Sequence, residues 1–134
     1  MTVIVTDTGF KADDHNAPIV PLAELTDETA VDLANTDDPA QLQGRLDDLR
    51  LIRIAFPSSA DGRGFTQAAR LRRMGYTGRL RAQGHVIADQ YAMARRAGFD
   101  EVEISDELAA RQPEDQWRFR ADWRAHDYQA RLKA

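Results

Sequence analysis

The sequence predicts an α/β fold: a parallel sheet of repeated strand-helix units, either open or curved into half of a TIM-like barrel, with an aromatic helix at the C-terminal side. Three observations predict it. Short β-branched runs alternate with amphipathic ones, as in Leu51-Ile52-Arg53-Ile54-Ala55-Phe56 followed by Phe65, Ala68, Ala69 and Leu71 at helical spacing. An Arg-Arg-x-Gly-aromatic pattern occurs at Arg72-Arg73-Met74-Gly75-Tyr76 and again, 23 residues on, at Arg95-Arg96-Ala97-Gly98-Phe99. Helices alternating with strands at so short a spacing imply parallel strands joined by right-handed crossovers.

In chain order, Met1 to Val5 reads as a short strand, and the Asp-, Asn-, Gly- and Pro-rich run from Asp7 to Pro21 as loop. Within that run, Pro18 to Leu22 suits an extended edge, because proline cannot donate to a central ladder. Asp38-Pro39-Ala40-Gln41 carries a cap, a proline at the first helical position and a glutamine three residues past the cap. Leu42, Leu46 and Leu49 follow at helical spacing, so a helix is expected over 39–49. Residues 51–56, 79–83 and 101–104 are the expected parallel strands. A helical turn is expected over 107–111. From Pro113 a final helix carries Trp117, Phe119, Trp123, Tyr128 and Leu132 on more than one face, which suits packing on its own sheet and on a second copy of the chain.

One domain of 134 residues is expected, divided into an acidic N-terminal strand, loop and helix (1–49), an α/β core (50–104) and a C-terminal helical segment (105–134). There is no cysteine, which excludes a disulfide, a thiol nucleophile and a cysteine-held metal cluster. No apolar stretch is long enough to span a bilayer and the N-terminus lacks the basic start of a signal peptide, so a cytoplasmic protein is expected. The net charge of -4 argues against nucleic-acid binding. It is unevenly spread: eleven acids face Lys11, Arg45 and Arg50 in residues 1–50, whereas residues 63–96 hold eight arginines against Asp89 alone.

Ligands of parallel α/β sheets bind beyond the carboxyl ends of the strands. That rule selects Ser58, Ser59, Asp61 and Arg63 after the first strand, Gln83, Gly84 and His85 with Asp89 and Gln90 after the second, and Ser105-Asp106 after the third. Arg63, flanked by glycines at a helix start, suits an anion; the same loop also serves as an ordinary turn in which Arg63 pairs with Asp61 or Asp89. His85 stands where a general base would sit, with Asp89 one helical turn on to orient it, or where a helix cap would. His15 beside Asp13-Asp14 and His126 beside Asp127 lack a third ligand, so no metal is assigned. No dinucleotide or phosphate-loop fingerprint occurs, and no cofactor is assigned.

The stretch Phe56-Pro57-Ser58-Ser59-Ala60-Asp61-Gly62-Arg63-Gly64-Phe65, with Leu71-Arg72-Arg73, Gly75-Tyr76-Thr77-Gly78, Leu80-Arg81-Ala82, Gly84, Asp89-Gln90 and Gly98-Phe99-Asp100, resembles a small bacterial family of unknown function. Its members are usually described as probable oxidoreductases involved in sulfite reduction. The resemblance covers about residues 50–104. It implies a role in sulfur assimilation beside the sulfite or nitrite reductase haemoprotein, and it carries over Ser58, Asp61, Arg63, Gly84, Asp89 and Gln90 as motif positions without roles. His85 departs from the pattern, where Asp or Asn is more usual. Reducing sulfite needs several electrons delivered through metal and organic cofactors, for which this sequence offers no cysteine ligands and no dinucleotide motif. The expectation is therefore a homodimeric accessory protein of assimilatory sulfite reduction that works through a partner or a bound anion. The alternative is a small enzyme acting on a phosphorylated or sulfur-containing metabolite, with His85 or Asp61 as acid/base.

Overall fold

The computed structural model describes residues 2–123. Seven strands form one open sheet: β1 (Thr2–Thr6), β2 (Gly9–Lys11), β3 (Val20–Pro21), β4 (Ala30–Leu33), β5 (Leu51–Phe56), β6 (Arg79–Gly84) and β7 (Glu101–Ser105). Their spatial order is β2-β1-β7-β6-β5-β4-β3. Strands β3 to β7 run parallel in sequential order, and β1 adds antiparallel to β7 with β2 antiparallel outside it. The α/β class holds, and the half-barrel alternative resolves into an open sheet.

The period of two in the strands sorts their side chains onto two faces. Val31, Leu33, Ile52, Ile54, Phe56, Leu80, Ala82, Val102 and Ile104 are buried in one core with Ala68 and Leu71 of α1 (Arg63–Arg73) and Tyr91 and Ala94 of α2 (Tyr91–Ala97). Both helices end as the sequence predicts. Gly75 and Gly98 take φ of 103° and 120°, and the amides of Tyr76 and Phe99 return to the carbonyls of Leu71 and Ala94, each at 3.0 Å. The repeated arginine has a mechanical role in this turn. Arg72 donates from Nη1 to the carbonyl of Tyr76, and Arg95 from Nη1 to that of Phe99, so each guanidinium closes its own helix end. Arg72 also reaches the carbonyl of Gly98, tying one repeat to the next.

The opposite face of the sheet is charged. Asp32, Arg53, Arg81 and Glu101 stand in register across four strands, and Glu103 joins them. Arg53 bonds Asp32 and Glu103, Arg81 bonds Glu101 at 2.6 Å and Glu103 at 2.8 Å, and Arg79 bonds Glu101 at 2.8 Å. The Arg81 side chain is fully buried. Because β2 and β3 lie at opposite edges, residues 12–19 must cross the whole sheet, and Asp13 on Arg81 and Asp14 on Arg79 place the crossing on this helix-free face. Six strand spacings amount to about 29 Å and nine extended residue steps to about 31 Å, so this strap has little slack.

The uneven charge of the sequence is thereby partly paired across the fold. Asp7, Asp13, Asp14, Asp32 and Asp38 from the acidic segment pair with Arg95, Arg81, Arg79, Arg53 and Arg70. The Arg79 guanidinium holds the Asp14 carboxyl at about 2, below its ordinary 3.8. A depressed carboxyl stabilises the fold fully above the unfolded value and stops doing so as pH falls through the folded one. The strap is therefore expected to loosen between about pH 4 and pH 2. Limited proteolysis across that range checks this: Asp14→Asn should speed cleavage of the strap at pH 6 and leave the rate at pH 2 unchanged.

Two expectations for the N-terminal part are corrected. In place of a helix over 39–49 there is one 3-10 turn, Pro39–Leu42, whose first amides are met by the Asp38 side chain on Ala40. Gly44 then takes φ of 89° and breaks any continuation, while Leu42 and Leu49 reach the core from successive turns. Residues 1–49 also contain strands β2 and β4 beyond those expected. β4 has only four residues, with Val31 and Leu33 turned inward. The edge at Pro18 to Leu22 appears as β3. After β7 come α3 (Asp106–Arg111) and α4 (Glu114–Phe119). α4 buries Trp117 and exposes Phe119 at 77%, so its aromatics do lie on different faces; Trp123 follows the helix, and Tyr128 and Leu132 lie outside the described residues.

Candidate functional site: a cleft at the carboxyl ends of three strands

The ends of β5, β6 and β7 are drawn together by local bonds. Gly84 takes φ of 118°, which turns the chain so that the His85 amide donates to the carbonyl of Phe56 at 3.0 Å. The Gln90 side chain accepts from the amide of Ile87 and donates to the carbonyl of Ser59 at 2.6 Å, fixing the loop after β5 to the loop after β6. At the end of β7 the Ser105 hydroxyl accepts from the amide of Leu108 and starts α3. The last turn of α3 is held over the same loops, because the Gln112 side chain accepts from the amide of Ala88 at 2.7 Å and Trp117 donates from Nε1 to the Gln112 carbonyl.

These loops enclose a cleft of about 430 Å³ lined by Pro57, Ser58, Ser59, His85, Ile87, Leu108, Arg111 and Gln112. A hollow of about 280 Å³ adjoins it, sharing His85, Leu108 and Arg111 and adding Gln83, Gly84, Glu103, Ser105 and Glu107. In a chain with 22 acids, the larger of the two contains no carboxylate among the described residues. It does contain donors. Among the described residues Arg111 has no ion pair, unlike Arg53, Arg63, Arg70, Arg72, Arg79, Arg81, Arg95 and Arg120. Ser58 Oγ accepts from the amide of Ala60, which leaves its proton to donate, and Gln112 uses only its oxygen in the fold.

Of the residues selected from sequence, Ser58, Ser59 and His85 line the cleft and Gln83, Gly84 and His85 the hollow beside it, while Gln90 braces the loops behind. Asp61 and Arg63 are directed elsewhere. Arg63 donates to Asp61 from Nε, Nη2 and its backbone amide, Asn35 donates to the same carboxylate at 2.6 Å, and neither Asp61 nor Arg63 lines the cleft. The Arg63 bond holds the Asp61 carboxyl at about 2. Asp89 bonds Arg120 at 2.6 Å in a separate hollow with Phe119, so it does not orient His85. Among the described residues, no group of three or more His, Asp or Glu is placed to hold a metal ion, and no helix is long and apolar enough to cross a membrane.

The residue that sequence reasoning missed is Arg111. The available signal was topological: a third strand ending at Ser105, capped straight into a short helix, delivers the last turn of that helix to the shared rim of strand ends. No curated protein and no solved structure matches the chain. A family model described as a bacterial protein of unknown function (DUF934) matches residues 30–134, taking in β4 to β7 and all four helices, and the chain belongs to that family.

Proposed function

We propose that this protein serves assimilatory sulfite reduction as an accessory that receives an oxyanion in the cleft at the ends of β5, β6 and β7. The observation that carries the reading is a cleft that, among the described residues, holds a guanidinium without an ion pair, two hydroxyls and an amide donor but no carboxylate. An anion in the cleft meets charge-assisted hydrogen bonds there, with Glu103 and Glu107 confined to the adjoining hollow that shares Arg111. The resemblance of residues 50–104 to proteins described in connection with sulfite reduction supports a sulfur oxyanion. The exposed Phe119 and Met93 offer apolar contacts to the reductase haemoprotein or to a second copy of the chain.

Growth tests the reading. Cells lacking the protein should grow poorly on sulfate or sulfite as sole sulfur source and normally on sulfide, and a gene carrying Arg111→Ala should fail to restore them. Arg63→Ala should restore growth, because Arg63 is spent on Asp61 outside the cleft. Normal growth of the deletion strain on sulfate and sulfite overturns the role.

A second reading has its own observation. The His85 imidazole lies in the same cleft as Arg111, Ser58 and Ser59, and no side-chain hydrogen bond commits it among the described residues. A small enzyme would use it as acid/base on the bound metabolite. His85→Ala then abolishes function, whereas an anion-receiving accessory retains most of it.

A further inference from the structure

The size and lining of the cleft bear on what kind of oxyanion it takes. An inorganic anion such as sulfite occupies roughly two water volumes, about 60 Å³, given a water's share of about 30 Å³. The cleft measures about 430 Å³. Such a volume falls in the range of about 300–1,000 Å³ typical of sites for organic molecules. The lining is also mixed. Arg111, Ser58 and Gln112 supply donors, but Pro57, Ile87 and Leu108 supply apolar surface that a bare ion would leave in contact with water. Apolar lining beside a small group of convergent donors fits a ligand with one charged end and one apolar body.

Resting on the anion-binding reading above, we infer that the occupant is an organic oxyanion: a sulfonate, sulfate ester or phosphate ester joined to an apolar body, its charged group on Arg111 and its body against Ile87 and Leu108. Arg111 and Ile87 come from different strand-end segments, and the bond from the amide of Ala88 to Gln112 sets their separation. The donors therefore fix the head group and the apolar side chains decide which body is accepted.

Titration of the whole protein with benzenesulfonate, phenyl phosphate, sulfite, sulfate and inorganic phosphate, followed by calorimetry, tests this. Both phenyl compounds should bind at least about tenfold more tightly than their inorganic counterparts. Ile87→Ser should remove that advantage, bringing each phenyl compound to the affinity of its inorganic counterpart. The variant is expected to fold, since Ile87 caps a helical turn in extended geometry, where serine is favoured. Arg111→Ala should weaken every ligand. Equal affinity for sulfite and benzenesulfonate, or an advantage that survives Ile87→Ser, overturns the inference yet leaves the anion site standing. If none of the five anions binds, the anion-receiving reading falls with it.

Discussion

Arg81→Met should destabilise the protein by about 3–5 kcal/mol, the usual cost of removing one partner from a buried ion pair. The Arg81 side chain has no exposed surface and bonds Glu101, Glu103 and Asp13, while the two glutamates are themselves only 5% exposed. Methionine fills much of the same space, so lost packing contributes little. What remains is two buried carboxylates whose other cations, Arg79 and Arg53, sit to one side. Urea denaturation measures the loss. Adding Glu101→Gln to Arg81→Met should recover part of it, because one uncompensated charge is then gone. A change below about 1 kcal/mol for the single variant would show that the charged face carries no such network.

The consequence reaches the site, because Glu103 also lines the hollow beside the cleft. Its carboxylate accepts from Arg53 and Arg81.

Gly84→Ala is expected to cost about 3 kcal/mol or more, through two additive causes. The φ of 118° lies where side-chain-bearing residues are strained, and a Cβ there would stand 2.6 Å from the Phe56 carbonyl oxygen, a backbone atom that cannot swing away. That same oxygen accepts the His85 amide, so the substitution should displace His85 from the cleft. Gly44→Ala serves as the reference. Gly44 also has positive φ, at 89°, but nothing lies within 4 Å of its would-be Cβ, so it should show only the conformational cost of about 1–2 kcal/mol. Equal thermal stability of the two variants would mean that β5 and β6 do not approach as closely at their ends as described.

What the sequence made legible follows from where local chemistry and tertiary structure agree. Leu51 to Phe56 and the two Arg-Arg-x-Gly-aromatic units announced strands, helix ends and parallel crossovers, because hydrophobic period and glycine caps act over a few residues. β4 was hidden, since four residues between acidic turns carry too little pattern, and it is a strand because β5 pairs with it. The expected helix over 39–49 failed for a related reason: its leucines do face the core, but Gly44 and the turns around it bring them there without a helix. The rule that ligands gather at strand ends selected Ser58, Ser59, Gln83, Gly84 and His85, and the folded chain places them along the cleft and the hollow beside it. Arg63 and Asp89 obey the same rule in sequence, yet Asp61 and Arg120 take them as partners. Arg111 escaped notice because only the docking of α3, through Gln112 and Trp117, brings it to the rim.

Oxyanion binding at Arg111, in the cleft at the ends of β5, β6 and β7, can be observed residue by residue. The most direct test is a titration of the isotope-labelled protein with sulfite, followed by the backbone amide resonances. Saturable shifts are expected at Ser58, Ser59, His85 and Arg111, lost in Arg111→Ala and kept in Arg63→Ala. Shifts centred on Asp61 and Arg63, or none at all, would contradict it.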